Sequence, residues 1–405
     1  MPPIKGSLPM PARSTPIQVF LVFLKLGLTS FGGPVAHLGY FRDEFVIRRR
    51  WLSDAAYGDL VALCQFLPGP ASSQVGFALG LMRAGWAGAV AAFLGFTLPS
   101  ALLLAGLALT GLGLGGGEAA SGLVHGLKIV AVAIVAQAVW GMARSLCPDR
   151  TRAGIALAAV LVLILLPGSV GMMGAIAAGA AAGLVLCRAG SAPAPAVFAA
   201  HVSRRTGLAA LILFAALLAA LPLLAPWDQG FALAESFFRA GSLVFGGGHV
   251  VLPLLEAGTV ATGWIAPDAF LAGYGLAQAV PGPLFTFAAW LGALMAVPPN
   301  GVAGAVIALL ALFLPGFLIL TAALPFWDRL RRQPGAQAAM AGANAAVVGI
   351  LGLALYDPVF VSAIAGRADF ALALTCFLAL TLWKAPSWAV VPLAAGAGAA
   401  MSLAA

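Results

Sequence analysis

The chain has 405 residues, of which 62% are hydrophobic and only 8% charged, with a mean hydropathy of +1.04. Soluble domains carry about 25% charged residues, so this composition excludes a soluble fold and reads as a polytopic membrane protein built from helices; the apolar runs lack the alternation of a membrane β-barrel. The net charge of +8 does not point to nucleic acid, because the basic residues sit in short loops between apolar segments, where they orient a membrane protein.

Residues 1–16 are Pro-rich, carry Lys5 and Arg13, and show no signal-peptide pattern; they read as a cytoplasmic segment. From Ile17 an apolar stretch with Lys25 leads to Phe31-Gly32-Gly33-Pro34. Glycine weakens a helix and Pro34 suits the first turn of a new one, so a break is expected here. The segment beyond carries Arg42, Asp43, Glu44 and Arg48, and must return to the interface it left, with Trp51 as a headgroup-level anchor. The next unit runs through Gln65 to Pro68-Gly69-Pro70, which loses two backbone donors in three residues while Gly69 permits a reversal. Ser72 and Ser73 fall at the start of the following helix, and Arg83 closes the unit. Breaks at membrane depth are tolerated only where protein or a water-filled cavity surrounds them.

Full apolar spans are expected near 85–113, 122–143, 153–167, 170–187, 207–225, 301–325, 336–356, 369–383 and 387–404, several of them short for a bilayer. Residues 189–229 read as a linker and connecting membrane helix. Basic residues at 48–50, 83, 144–152, 188–205, 329–332 and 384 then share one side. The loops near 113–121, 167–170, 226–230, 259–268 and 298–301 hold no Lys or Arg, and Arg367 alone dissents. The basic side is expected to be cytoplasmic.

From residue 230 the opening pattern returns. Phe237, Arg239, Gly241, Phe245-Gly246-Gly247 and Leu252 repeat Phe23, Lys25, Gly27, Phe31-Gly32-Gly33 and Leu38 at an offset of 214. Trp264, Gln278 and Pro281-Gly282-Pro283 repeat Trp51, Gln65 and Pro68-Gly69-Pro70 at an offset of 213, and Pro315, Gly342 and Tyr356 answer Pro99, Gly126 and Trp140 at 216. Two homologous repeats follow, at 17–188 and 230–405. Five full spans separate the first broken units from their copy, and an odd number inverts it. The Arg triplet beside Trp51 has no counterpart beside Trp264, as inversion requires. The expected fold is an all-α polytopic membrane protein with two inverted repeats, each containing Gly/Pro-broken re-entrant helix hairpins. That architecture points to a transporter with a site between its repeats.

A half-helix that starts near the midplane presents free N–H groups and a positive dipole end, a ready anion site. The candidate residues are therefore Phe31, Gly32, Gly33, Pro68, Gly69 and Pro70 in repeat 1, with Phe245, Gly246, Gly247, Gly248, Pro281, Gly282 and Pro283 in repeat 2. Ser72, Ser73 and Thr286 add hydroxyl donors, and Gln65 and Gln278 add amides at matching positions. Lys25 and Arg239 also match. A mid-membrane charge costs roughly 3 kcal/mol and needs a partner or a task; the pair suits a dianion, and snorkelling to the interface is the competing reading. Of the histidines that follow the breaks, His249 is a better candidate than His37. Asp54 and Asp268 read as helix caps, and Asp59 and Glu235 as surface groups. Lys128 lies inside a span opposite Asn344 and is not a repeat feature. No metal-ligand spacing, nucleotide motif, cofactor motif or nucleophile–base cluster appears, so an enzyme is not expected.

The motifs Phe31-Gly32-Gly33-Pro34 with Trp51, and Gln65-Phe66-Leu67-Pro68-Gly69-Pro70, with their repeat-2 versions Phe245-Gly246-Gly247-Gly248-His249, Pro253, Gln278 and Pro281-Gly282-Pro283, resemble the chromate transporter family in its long-chain, two-domain form. The resemblance covers nearly the whole chain. It implies chromate export across the bacterial plasma membrane, driven by the membrane potential or a proton gradient, with protons as a candidate coupling ion. Sulfate, an isosteric dianion, is then a competitor or an alternative substrate. Lipid is the other implied partner, and a homo-oligomer is compatible with the resemblance. The residues alone reach an inverted-repeat transporter of an anion. A sulfate or other oxyanion carrier, and a membrane scaffold or enzyme, are the alternatives; a scaffold would not need two mirrored Pro-Gly-Pro breaks.

Overall fold

The computed structural model describes residues 14–31, 33–111, 118–187, 202–245, 248–330 and 333–404. Gly32, Gly246, Gly247, Lys5, Arg13, Arg188, Arg331, Arg332 and most of the 113–121 loop lie outside the described residues. The described secondary structure is helical throughout. Repeat 1 contains α1 (Pro16–Thr29), α2 (Gly33–Arg42, continued as a wide turn to Arg48), α3 (Asp54–Phe66), α4 (Ala71–Thr110), α5 (Glu118–Leu146), α6 (Arg150–Leu165) and α7 (Gly168–Leu186). α8 (Arg204–Leu224) connects to α9 (Gln229–Ser242), α10 (Val251–Thr259), α11 (Pro267–Ala279), α12 (Phe287–Ala293) and α13 (Gly301–Ala323). After the short α14 (Trp327–Leu330) come α15 (Pro334–Ala354), the short α16 (Val361–Ala363), α17 (Arg367–Thr381) and α18 (Ser387–Ala404). Side-chain caps set several starts: Thr15, Ser53, Asp149 and Ser203 each accept from an N–H of the following turn. Asp54 therefore follows the cap rather than being it, and Ala266 holds the equivalent place before α11.

The broken units form hairpins. Phe23 of α1 packs on Phe41 and Phe45, and Lys25 reaches Glu44, so the chain beyond Gly33 folds back along α1. Ser236 of α9 donates to the Gly258 carbonyl of α10 in the same manner. α4 is two arms, 71–83 and 86–110, joined at Ala84–Gly85, where Gly85 takes φ +64°. The first arm returns to the face from which α3 started: Arg83 lies 5.0 Å from the Trp51 ring and bonds Ser14 at 3.2 Å. Trp51 is only 6% exposed and stacks on Phe45, so it is a packed residue and not the headgroup anchor expected from the sequence.

The repeats are inverted. The second arm of α4 and its counterpart α13 lie antiparallel, with Phe93 against Phe313 and Phe317, and Leu109 nearest to Gly301. Trp51 and Trp264 consequently stand at opposite ends of the bundle. Lys128 of α5 bonds Asp268 near Trp264, which leaves Arg144 at the Trp51 end, and Gly207 lies against Pro325, which brings Arg204 and Arg205 to that end too. Arg367 begins α17 beside the His125–Asp369 pair, at the other end.

Lateral packing obeys the same symmetry. Gly122 and Gly126 of α5 face the backbone of α18, and Gly179 and Gly183 of α7 face Gly342 of α15; small residues let membrane helices approach closely. Among the described residues, five helices are long and apolar enough to cross a membrane: Ala71–Thr110, Ser121–Leu146, Arg204–Leu224, Gly301–Phe326 and Pro334–Ala363. α6, α7, α17 and α18 have 16, 19, 15 and 18 residues, about 22–29 Å of helix against a hydrocarbon core of about 30 Å.

Candidate functional site

The breaks interlock across the repeats. The Gly69 amide donates to the Val244 carbonyl at 2.8 Å, and the Gly282 amide donates to the Ser30 carbonyl at 2.9 Å. These bonds are images of one another: each joins the Pro-Gly-Pro break of one repeat to the residue just before the Phe-Gly-Gly of the other. Gly69 and Gly282 adopt φ +122° and +100°, backbone that side chains avoid. A side chain on Gly69 would meet Gly316, and one on Gly282 would meet Ser100 and the Phe96 carbonyl. Pro34 packs against Gly248, its own repeat counterpart, so the pseudo-twofold axis runs between them. Gln74 braces the layer, donating from Nε2 to the Pro68 and Gly316 carbonyls at 2.9 Å each. The level is that of Pro99 and Pro315, midway along the second arm of α4 and α13. The Gly69 and Gly282 amides are thus spent on the fold, and the donors left for a ligand are those of the first helical turns beyond them.

The other sequence candidates distribute around this layer. Ser72 and Ser73 are buried at the start of α4, and Ser72 Oγ stands 3.4 Å from Nδ1 of the fully buried His37. Thr286 is buried, and its hydroxyl bonds the Pro283 carbonyl at 2.8 Å. Phe31 lies 6.1 Å from the Trp388 ring of α18, and Phe245 is half-buried. His249 Nδ1 meets the Tyr274 hydroxyl at 2.7 Å. The Gln278 side chain lies on that same hydroxyl while its Nε2 has no well-aligned partner among the described residues, and the backbone carbonyl of Gln278 accepts from Ser387 of α18. Gln65 is exposed. Lys25 is 3.9 Å from the buried carboxylate of Glu44, which also takes Arg49 at 2.7 Å and Arg48 at 3.6 Å. Arg239 Nε stands 2.7 Å from Glu235 but too obliquely to bond it, and Nη2 donates at 3.3 Å. Each matched cation therefore already holds a carboxylate of its own repeat.

Four residues absent from the sequence candidates belong to the same layer: Ser30, Gln74, Thr97 and Ser100, all buried, together with His37, which the sequence ranked below His249. A signal for them existed. Aligned on the repeat, they fall opposite Val244, Phe287, Phe313, Gly316 and Val251.

The two hairpins are not packed alike. In repeat 2, α11 lies on α5 and α18, with Gly275 against the Leu127 carbonyl and Asp268 bonded to Lys128 at 2.7 Å. In repeat 1, α3 packs on α4 and touches Trp327 through Phe66 and Asp59, yet makes at most marginal contact with α15 and α7 among the described residues. Asp54, Gly58, Ala62 and Gln65 form an exposed stripe along it. The Oδ1 of Asn344, the repeat counterpart of Lys128, is buried without a partner among the described residues.

Comparison with known proteins gives a consistent result. Residues 17–184 and 231–400 each match the family described as Chromate transporter. A chromate transport protein of Pseudomonas aeruginosa is 33% identical over 86% of this chain and 82% of its own length. The chromate transport protein of Cupriavidus metallidurans is 29% identical over 82% and 80%, and an uncharacterized transporter of Methanocaldococcus jannaschii 26% over 80% of each. No solved structure matches.

Proposed function

The chain belongs to the chromate transporter family, and from that premise we propose that it is a secondary transporter exporting chromate from the cytoplasm, with the anion bound where the breaks of the two repeats meet. The observation that carries the reading is the reciprocal pair of bonds, Gly69 to Val244 and Gly282 to Ser30. It draws helix starts from both repeats to one level, deep between the second arm of α4 and α13. Chromate is a tetrahedral dianion. The positive ends of α2 and α4, with the Ser72 and Ser73 hydroxyls, offer it neutral donors in a low-dielectric setting, where such donors count for more than in water.

The basic Trp51 end is taken as cytoplasmic. In that orientation the gap beside α3 opens to the cytoplasm, while α11 closes the outer side on α5. Transport follows if the hairpins exchange these roles: α11 leaves Lys128 and α3 closes toward Asn344. Lys25 and Arg239, each one and a half turns outside its break and each resting on a carboxylate, are the cations a dianion passes on its way in and out. Sulfate, with the same shape and charge, competes for the site.

The test is uptake of labelled chromate into everted membrane vesicles, with an imposed membrane potential or proton gradient and with sulfate as competitor. The reading predicts protein-dependent, gradient-driven uptake that sulfate reduces. Uptake equal to that of vesicles lacking the protein refutes it.

A further inference from the structure

The pseudo-twofold symmetry of the backbone is not matched by its chemistry. Around the start of α4, repeat 1 places Ser30, His37, Ser72, Ser73 and Thr97, every one of them at least nine-tenths buried. The repeat-2 residues at the same positions are Val244, Val251, Phe285, Thr286 and Phe313, equally buried. At four of the five positions a polar side chain of repeat 1 is matched by an apolar one in repeat 2, and the fifth, Thr286, spends its hydroxyl on the Pro283 carbonyl.

The polar half is also unsatisfied. Among the described residues, Ser30 Oγ, Ser73 Oγ and Thr97 Oγ1 have no hydrogen-bond partner, and His37 Nε2 has none of good geometry, although the ring lies within reach of the Ser30 backbone. Other buried hydroxyls among the described residues find a backbone carbonyl: Ser242 bonds that of Phe238, Thr259 that of Leu255, Thr286 that of Pro283 and Ser236 that of Gly258. A buried donor left unpaired costs about 1–3 kcal/mol, and each such group in a native structure calls for an explanation. His37 Nδ1 sits 3.4 Å from Ser72 Oγ in the first turn of α4, and its ring meets Phe96 edge-on at 5.3 Å, so the ring is held beside the helix start.

We infer that the transported oxyanion is held off the pseudo-twofold axis, in a pocket supplied by repeat 1 alone, with Ser30, Ser73, Thr97 and the His37 Nε2–H donating to its oxygens at the positive end of α4. This rests on the oxyanion-transport reading above and narrows it. Three hydroxyls and one imidazole N–H are four donors for four oxygens of a tetrahedral dianion. The apolar half serves the same purpose: a second polar half would hold a second dianion close to the first, and the two would repel.

Equilibrium binding of labelled sulfate and chromate to the purified full-length protein tests this, using Ser73→Ala, Thr97→Val and His37→Gln, with Ser242→Ala as a buried hydroxyl outside the pocket. One bound anion per chain is expected, with about tenfold weaker binding for each pocket variant, equivalent to about 1.4 kcal/mol, and an unchanged affinity for Ser242→Ala. Because a pocket variant can fail by misfolding, a second readout uses Ser73→Cys in a chain with Cys64, Cys147, Cys187 and Cys376 replaced by Ala; sulfate is expected to slow alkylation of that thiol. Wild-type affinity in the pocket variants, or alkylation that saturating sulfate leaves unchanged, overturns the off-axis site while transport stands. A wild-type protein that binds neither anion overturns both.

Discussion

Replacing Gly282 with Ala probes the interlocked breaks at one atom. The Gly282 backbone has φ +100°, and an added Cβ would lie 2.7 Å from Ser100 Oγ and 3.3 Å from both Ser100 Cβ and the Phe96 carbonyl. The hydroxyl can rotate away; the Phe96 carbonyl belongs to α4 and cannot. A non-glycine residue in such backbone costs about 1–3 kcal/mol. Relief comes by drawing the turn away from α4, which strains the Gly282–Ser30 bond, a net contribution of about 1 kcal/mol. The expected loss is about 2–4 kcal/mol of unfolding free energy, measured by denaturing-detergent titration of the purified protein. Gly141→Ala is the control, because that glycine lies inside α5 with open space around it, and there alanine is expected to be neutral or stabilising by about 0.5–1 kcal/mol. A Gly282→Ala protein as stable as wild type would refute the strained, cross-repeat turn.

Gln74→Leu removes both donors that brace the Pro68 and Gly316 carbonyls, and it should cost about 2–4 kcal/mol by the same titration. Lys128→Ala breaks the contact that holds α11 on α5. Because Asp268 is largely exposed the pair is worth no more than about 1 kcal/mol, so the shift in populations is about fivefold. A thiol placed at Gln278 should then label faster and one at Gln65 more slowly; unchanged rates at both would remove the pair from the gating step. The Arg42 guanidinium bonds Asp54 and holds its carboxyl below the ordinary carboxylate range. The contribution of that pair is present above the ordinary range and is lost as pH falls through the lowered value, so Arg42→Gln should move the Asp54 titration upward in an NMR measurement.

The four breaks were legible because Gly and Pro act through local backbone chemistry, which a single sequence carries. Inversion was legible too, since the charge beside Trp51 and its loss beside Trp264 report which interface each loop meets. What the breaks bond to was not legible. Gly69 finds Val244 and Gly282 finds Ser30 in the opposite repeat, far away in sequence, and nothing in either motif names its partner. The repeat comparison also drew the eye to identities. Matched residues such as Lys25 and Arg239 stood out, yet each rests on a carboxylate. Ser30, His37 and Thr97 lie where the copies differ, and their meaning appears only when burial is known. Trp51 shows the same limit: an aromatic beside an Arg triplet fits an interface anchor, and only packing reveals that Phe45 and Arg83 enclose it.

The measurement that tests the central claim most directly is flux of labelled chromate in liposomes containing only the purified protein, comparing wild type with Pro68→Ala/Pro70→Ala. The account predicts potential-driven chromate movement by wild type, inhibited by sulfate. It predicts none by the variant, in which a continuous helix through 66–72 would bond the amides that face the anion. Equal flux through wild type and a folded variant would contradict it.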